Sequence, residues 1–179
     1  MSGTLEVITG PMFAGKTQTL LARVRLARSK GLRTEIFKPL TDTRVREAEV
    51  RTHAGDSLAA IWTPPDGSGI DTTLDVVAID EVQFFSPNVI AILLRMVGLG
   101  KNVVVSGLDL TSKGDPFGPM PALLSVADRV EKLTAPCRVC GAAGTRSYRK
   151  VSDDATVLVG GADMYEPRCV PCFSQVGYD

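Results

Sequence analysis

The chain has no excess of either charge. Twenty Lys and Arg stand against 20 Asp and Glu in 179 residues, with an isoelectric point near 6.6. No global basic field therefore draws it toward nucleic acid or an anionic membrane. It has no apolar run approaching the ~20 residues that span a bilayer, and no charged-then-apolar signal segment at its start. These absences point to a soluble, cytoplasmic protein. Internal repeats and low-complexity segments are also missing. No cysteine precedes Cys137; all four lie between there and Cys172. The one histidine, His53, falls in a polar stretch and is assigned no chemistry. The length suits one domain, or one domain with a small appendage. The apolar fraction of 44% is enough to bury a substantial core.

The most informative stretch is Gly10-Pro11-Met12-Phe13-Ala14-Gly15-Lys16-Thr17. It follows the phosphate-binding pattern G-x-x-x-x-G-K-T. Thr4 to Thr9 alternates in polarity and reads as a strand. Thr17, Leu20, Leu21, Val24 and Ala27 recur at helical spacing, and Lys30-Gly31 supplies a basic last turn and a closing glycine. Strand, glycine loop and helix is the context that gives the motif its mechanism. Backbone N–H groups curl around phosphate oxygens, and the helix N-terminus adds partial positive charge. Lys16 is expected at the β- and γ-phosphates and Thr17 on Mg²⁺.

Further along, Arg33 to Lys38 reads as a second strand. Leu40 to Ser57 has no sustained periodicity and reads as a long surface loop, and Thr63 to Gly69 as a turn or linker. Leu74 to Asp80 is a nearly continuous apolar run ending in an acid, as in a central parallel strand buried on both faces. Its C-terminal end opens on the ligand crevice of such sheets, which puts Asp80 where a P-loop protein holds Mg²⁺. A helix follows Ser86-Pro87 and ends at Gly100, and Asn102 to Ser106 forms another strand. Gly107 to Pro121, with three prolines and three glycines, is a loop. Ala122 to Ala127 makes a short helix and Asp128 to Leu133 a final strand. The alternation implies a doubly wound, mainly parallel α/β sheet of P-loop NTPase type over residues 1–134.

Composition changes at Ala135-Pro136, so residues 135–179 read as a separate small unit. Cys137-x-x-Cys140 and Cys169-x-x-Cys172 form two knuckles, a strong zinc signal. Four cysteine ligands leave no open coordination position, so the expected zinc is structural. The alternative, one redox-active pair with unrelated cysteines, lacks the preceding strand of a thioredoxin-like unit. Between the knuckles, Thr145 to Val151 and Thr156 to Val159 read as a hairpin turning at Ser152-Asp153-Asp154.

A P-loop with Asp80-Glu81 suits a motor, a switch or a kinase. The chain is short for a motor, and no guanine-reading N-K-x-D motif is present. Glu81 is either a base toward an acceptor hydroxyl or the acid that polarises water in an ATPase; spacing leaves the two readings even.

The ordered set G-P-M-F-A-G-K-T, K-P-L-T-D-T-R, T-H-A-G, I-D-E-V-Q-F-F, G-L-D, D-P-F-G-P-M-P, the two C-x-x-C pairs and G-G-A-D-M-Y resembles the type II, zinc-containing thymidine kinases from Leu5 to Cys172. The resemblance implies ATP-dependent phosphorylation of the 5′-hydroxyl of thymidine and deoxyuridine. It also implies a zinc-ribbon unit carrying a lasso loop over the nucleoside, and a homotetramer. Nucleic acid and membrane are not expected as partners. Lys16, Thr17 and Asp80 match the phosphate and Mg²⁺ positions, with Gly10, Met12, Phe13, Ala14 and Gly15 completing the cofactor loop. Glu81 matches the general base. Asp42 and Arg44 match an element near the acceptor hydroxyl and phosphates. Met12, Phe84, Leu108 and Phe117 match positions around base and sugar. Tyr165 and the backbone of Leu158 to Gly160 match lasso contacts.

Three positions depart from the family pattern. Ser112 stands where an aromatic is common and is expected to loosen the pocket. Ser147 replaces a threonine that bonds the base but keeps a hydroxyl. Val82 replaces a smaller residue and is expected to crowd the site. Two alternatives stay open: a kinase for another deoxynucleoside, and a zinc-ribbon nucleic-acid-dependent ATPase. For the latter, Arg146, Tyr148, Arg149 and Lys150 are the only hint.

Overall fold

The computed structural model describes residues 3–40, 49–52, 55–151 and 160–174. The expected roles of Asp42, Arg44 and Leu158, and the position of His53, fall outside them. In chain order the elements are β1 (Thr4–Thr9), α1 (Lys16–Ser29), β2 (Thr34–Pro39), β3 (Glu49–Arg51), β4 (Ser57–Ala59), β5 (Ile61–Thr63) and β6 (Val76–Ile79). A 3-10 turn, Val82–Phe84, precedes α2 (Asn88–Gly98), β7 (Asn102–Gly107), α3 (Met120–Val126) and β8 (Arg129–Lys132). The C-terminal part holds β9 (Ala135–Pro136), β10 (Ala143–Gly144), β11 (Arg146–Arg149), β12 (Tyr165–Arg168) and α4 (Val170–Ser174).

Six strands form one parallel sheet in the order β5-β2-β6-β7-β1-β8. Its centre is apolar on both faces because strand side chains alternate. Leu5, Val7, Val77, Ile79, Val103 and Val105 point to one side, where Val89, Leu93 and Met96 of α2 and Leu123 of α3 cover them. Ile8, Ile36, Ala78 and Val104 point to the other, under Leu20, Leu21 and Val24 of α1. Each fully buried aliphatic side chain contributes about 1.5–3 kcal/mol, so a helix on each face is enough to hold the sheet. This is the expected doubly wound arrangement.

Three local features differ from the sequence reading or add to it, and a fourth expectation falls on residues that are not described. Residues 40–57 are not all loop: β3 and β4 pair antiparallel, Glu49 opposite Ala59 and Arg51 opposite Ser57. The edge strand β5 lies in a stretch too short for alternation to register; it pairs with β2, Phe37 opposite Ile61. The last helix of the sheet region starts at Met120, with Pro121 in its first turn, where a missing N–H costs nothing. The described partner of β11 is β12, with Arg149 opposite Tyr165 and Arg146 opposite Arg168. The expected partner, Thr156 to Val159, lies outside the described residues.

Candidate active site

The crevice lies at the C-terminal ends of β1, β6 and β7. Gly10 leaves β1 at φ 135°, and a Cβ there would stand 2.3 Å from the Leu133 carbonyl oxygen. Only glycine lets the loop pass this close to the chain leaving β8. Phe13 (φ 66°) and Gly15 (φ 85°) take left-handed backbone and fold the loop back over the start of α1. Lys16 is 9% exposed, and its Nζ donates to the Pro11 carbonyl at 2.7 Å, so the ammonium sits inside the loop it is meant to serve.

Asp80 follows β6, two strands from β1, with β7 between them. Two strand spacings are about 10 Å, and the side chains close that gap. Thr17 Oγ1 donates to Asp80 Oδ2 at 3.2 Å, and Ser106, on the intervening β7, donates its hydroxyl to Asp80 Oδ1. The backbone N–H of Glu81 donates to the same oxygen at 3.1 Å. Asp80 is 4% exposed and held from three sides. The expected Lys16, Thr17 and Asp80 constellation is therefore brought together. Ser106 was not foreseen: a serine in a valine run reads as strand, and only the sheet order shows which acid it faces.

Glu81 is half-buried at φ 56°, an uncommon conformation for a residue with a Cβ. Gln83 Nε2 donates to its Oε2 at 2.5 Å. Phe84 and Phe117, both half-buried, meet edge to face with centroids 5.6 Å apart. Leu108 follows directly on β7, and its N–H donates to Gln83 Oε1 at 3.1 Å. Phe117 N–H donates to the Asp109 carbonyl at 3.0 Å, and Lys132 pairs with the buried Asp109 carboxylate at 2.7 Å. Val82 does not crowd this crevice: it is fully buried in the core with Phe85 and Val105.

The cysteine-bearing region reaches the loop through Ser147. Its side chain is buried, and its Oγ accepts the Met12 N–H at 2.9 Å. A cleft of about 580 Å³ has Phe13, Tyr165, Pro136, Arg138, Lys150 and Glu166 among its lining residues. Tyr165 is buried, with Arg149 over its ring at 5.8 Å. Gly160 stands at the start of the described run leading to it. The Tyr148 ring is covered by Arg168 at 3.5 Å and meets Phe173 edge-on. One face of the ring is therefore taken by Arg168, which weakens the aromatic hint of a polynucleotide-stacking hairpin.

The Sγ atoms of Cys137, Cys140, Cys169 and Cys172 all lie within 4.8 Å of one another. The Cys140–Cys169 pair is 3.6 Å apart. Tetrahedral Zn–S bonds of ~2.3 Å place sulfurs about 3.8 Å apart, so the donor set fits zinc. Backbone N–H donation from Cys169 draws the Cys137 thiol down to about 6. Cys172, hydrogen-bonded to the Cys169 and Cys140 sulfurs, is pushed up to about 12. Four sulfurs this close cannot all ionise without a cation among them.

Fold and loop together define a P-loop nucleotide-binding α/β protein with a four-cysteine cluster in its C-terminal part. The archaeal flagellar accessory protein FlaH from Methanocaldococcus jannaschii shares the fold, with a TM-score of 0.50 and 15% identity over 79% of this chain and 75% of that one. The thymidine kinase family model matches residues 3–173. A thymidine kinase of Bacteroides fragilis is 42% identical over 177 residues, covering 97% of this chain and 88% of that protein. One of Deinococcus deserti is 43% identical over 187 aligned positions, covering 93% and 92%. The chain belongs to the thymidine kinase family and is an enzyme of that kind.

Proposed function

We propose that the protein transfers the γ-phosphoryl group of ATP to the 5′-hydroxyl of thymidine, and of deoxyuridine, in a nucleotide-salvage role in the cytoplasm. The observation that carries this reading is the Thr17–Asp80 contact at 3.2 Å with Lys16 folded into the loop beside it, and a second carboxylate, Glu81, one residue further on.

The loop from Gly10 to Gly15 presents backbone N–H groups to the triphosphate, and Lys16 turns from the Pro11 carbonyl to the β- and γ-phosphates. Thr17 and Asp80 are the residues that would hold Mg²⁺, which neutralises charge on the β- and γ-oxygens when bound. Glu81 takes the proton of the 5′-hydroxyl. Arg44 stabilises charge on the group in transfer and Asp42 orients the acceptor. Met12, Phe84, Leu108, Phe117, Ser147 and Tyr165 enclose base and sugar, and the backbone at Leu158 and Gly160 meets the pyrimidine edge. Residues 1–134 form the nucleotide-binding domain and 135–179 a zinc-ribbon domain whose structural Zn²⁺ is held by the four cysteines. A homotetramer is the expected assembly. Among the described residues no helix is long and apolar enough to cross a membrane.

The test is direct: purified protein with Mg²⁺-ATP and thymidine, following thymidine monophosphate. Product that disappears in Lys16→Ala supports the reading; bound ATP without product overturns it. Turnover of deoxyuridine and deoxycytidine beside thymidine sets the acceptor range, for which Ser112 is the first residue to vary.

A further inference from the structure

We infer that Gln83 is a positioning residue that fixes the Glu81 carboxylate and ties it to the end of β7 at Leu108. This rests on the reading of Glu81 as the base.

Glu81 lies just past the end of β6, on a left-handed backbone (φ 56°) that sets the direction of its Cα–Cβ bond. Its side chain then has three torsions, and hydrogen-bond partners are what hold a half-buried carboxylate in one orientation. A base must be held within hydrogen-bond reach of one proton. The 3-10 turn Val82–Phe84 brings Gln83 back against it, and Gln83 Nε2 donates to Glu81 Oε2 at 2.5 Å.

Which end of the Gln83 amide faces the carboxylate is decided by its other partner. Leu108 offers a backbone N–H, which can only donate, and it stands 3.1 Å from the amide oxygen. Rotating the amide by 180° would set N–H against N–H on one side and oxygen against carboxylate oxygen on the other. Gln83 is 2% exposed, so water cannot compensate either mismatch. Its neighbour Gly107 leaves room for this arrangement: a Cβ there would stand 2.6 Å from Gln83 Oε1. The amide is thus a fixed two-ended spacer. One end reads the backbone where β7 becomes the pocket wall; the other holds one oxygen of Glu81.

The consequence is that Gln83 acts on turnover through Glu81 and has little effect on nucleotide affinity. The experiment is a double-mutant cycle of Gln83→Met with Glu81→Ala, reading kcat, KM for thymidine, ATP affinity and thermal melting. Gln83→Met is expected to lower kcat by at least ~10-fold with ATP affinity within about twofold. In the Glu81→Ala background the same change should move the residual rate by less than about twofold, because the carboxylate it serves is gone. Equal losses in both backgrounds, or an unchanged kcat in Gln83→Met, would overturn the inference. Glu81→Ala alone tests the base: if it keeps near-wild-type turnover, that reading fails first and Gln83 falls with it. Gln83→Leu, which also removes the amide without adding charge, repeats the cycle if the methionine variant melts below assay temperature.

Discussion

The parallel sheet and the cysteine-bearing segment are held together by different physics. In the sheet, the central strands carry Leu, Ile and Val on both faces under helices, and residues such as Val7, Ile79 and Val105 are fully buried. In the C-terminal part the strands are two to four residues long, and Val139 and Val170 remain 58% and 48% exposed. Little apolar surface is available there to offset the entropy of ordering the chain. Four sulfurs within 4.8 Å take the place of a core. The sheet is therefore expected to fold without metal, and the cysteine segment to depend on it. A hydrogen bond from the Met12 N–H to Ser147 Oγ carries the order of the second region into the phosphate loop of the first.

The largest effect expected on that comparison comes from the sheet side. Lys16→Ala should cut turnover by about 10²–10³ or more, since it removes a charge aimed at the transferred phosphates, while the melting curve of the sheet stays near wild type. Steady-state kinetics beside calorimetry separates the two.

Next comes Cys140→Ser, or chelation of zinc. Structural zinc contributes on the order of 10 kcal/mol to small metal-held units. Metal loss, followed with a zinc-sensitive dye, should expose residues 137–174 to proteolysis and weaken thymidine binding, and the parallel sheet should stay resistant. Simultaneous loss of both regions, or unchanged thymidine affinity after verified metal loss, would break the comparison.

A smaller change tests the link itself. Ser147→Ala leaves the part-buried Met12 N–H without its acceptor, a cost of about 1 kcal/mol. ATP affinity should fall although no residue of the loop is altered. Ser147→Thr, which keeps the hydroxyl, should retain it; equal affinity in both variants would show that the two regions are uncoupled.

The smallest effect is at the surface. Arg25 pairs with Asp56 at 2.5 and 2.7 Å and holds its carboxyl below the usual 3.8. A depressed carboxylate stabilises the fold above its unfolded pKa, and that contribution disappears as pH falls through the folded value. Arg25→Ala should therefore shift the melting temperature only marginally at neutral pH, solvent screening the pair, and not at all in strong acid. A larger difference at acid than at neutral pH would contradict the sign.

Much of this was readable along the chain. Thr4–Thr9 is a strand and Lys16–Ser29 a helix because polarity period, glycines and the G-x-x-x-x-G-K-T spacing are local properties. The cysteine pairs pointed to the four-sulfur cluster for the same reason. The three-residue strands β3, β4 and β5 were not readable, since alternation needs more positions than they have. Nor was the burial of Val82, which the turn after β6 rotates into the core.

What local pattern could not supply was adjacency. Ser106 meets Asp80 because β7 inserts between β1 and β6, a fact of strand order and not of spacing. Ser147 and Met12 are separated by 135 positions yet share a hydrogen bond. Gln83 and Leu108, 25 apart, fix one amide between them. Periodicity and motif spacing act within a few turns of chain, so they determine elements and reacting groups. Which buried donor finds which acceptor depends on how the elements pack, because a buried polar group must be paired by whatever the fold brings beside it.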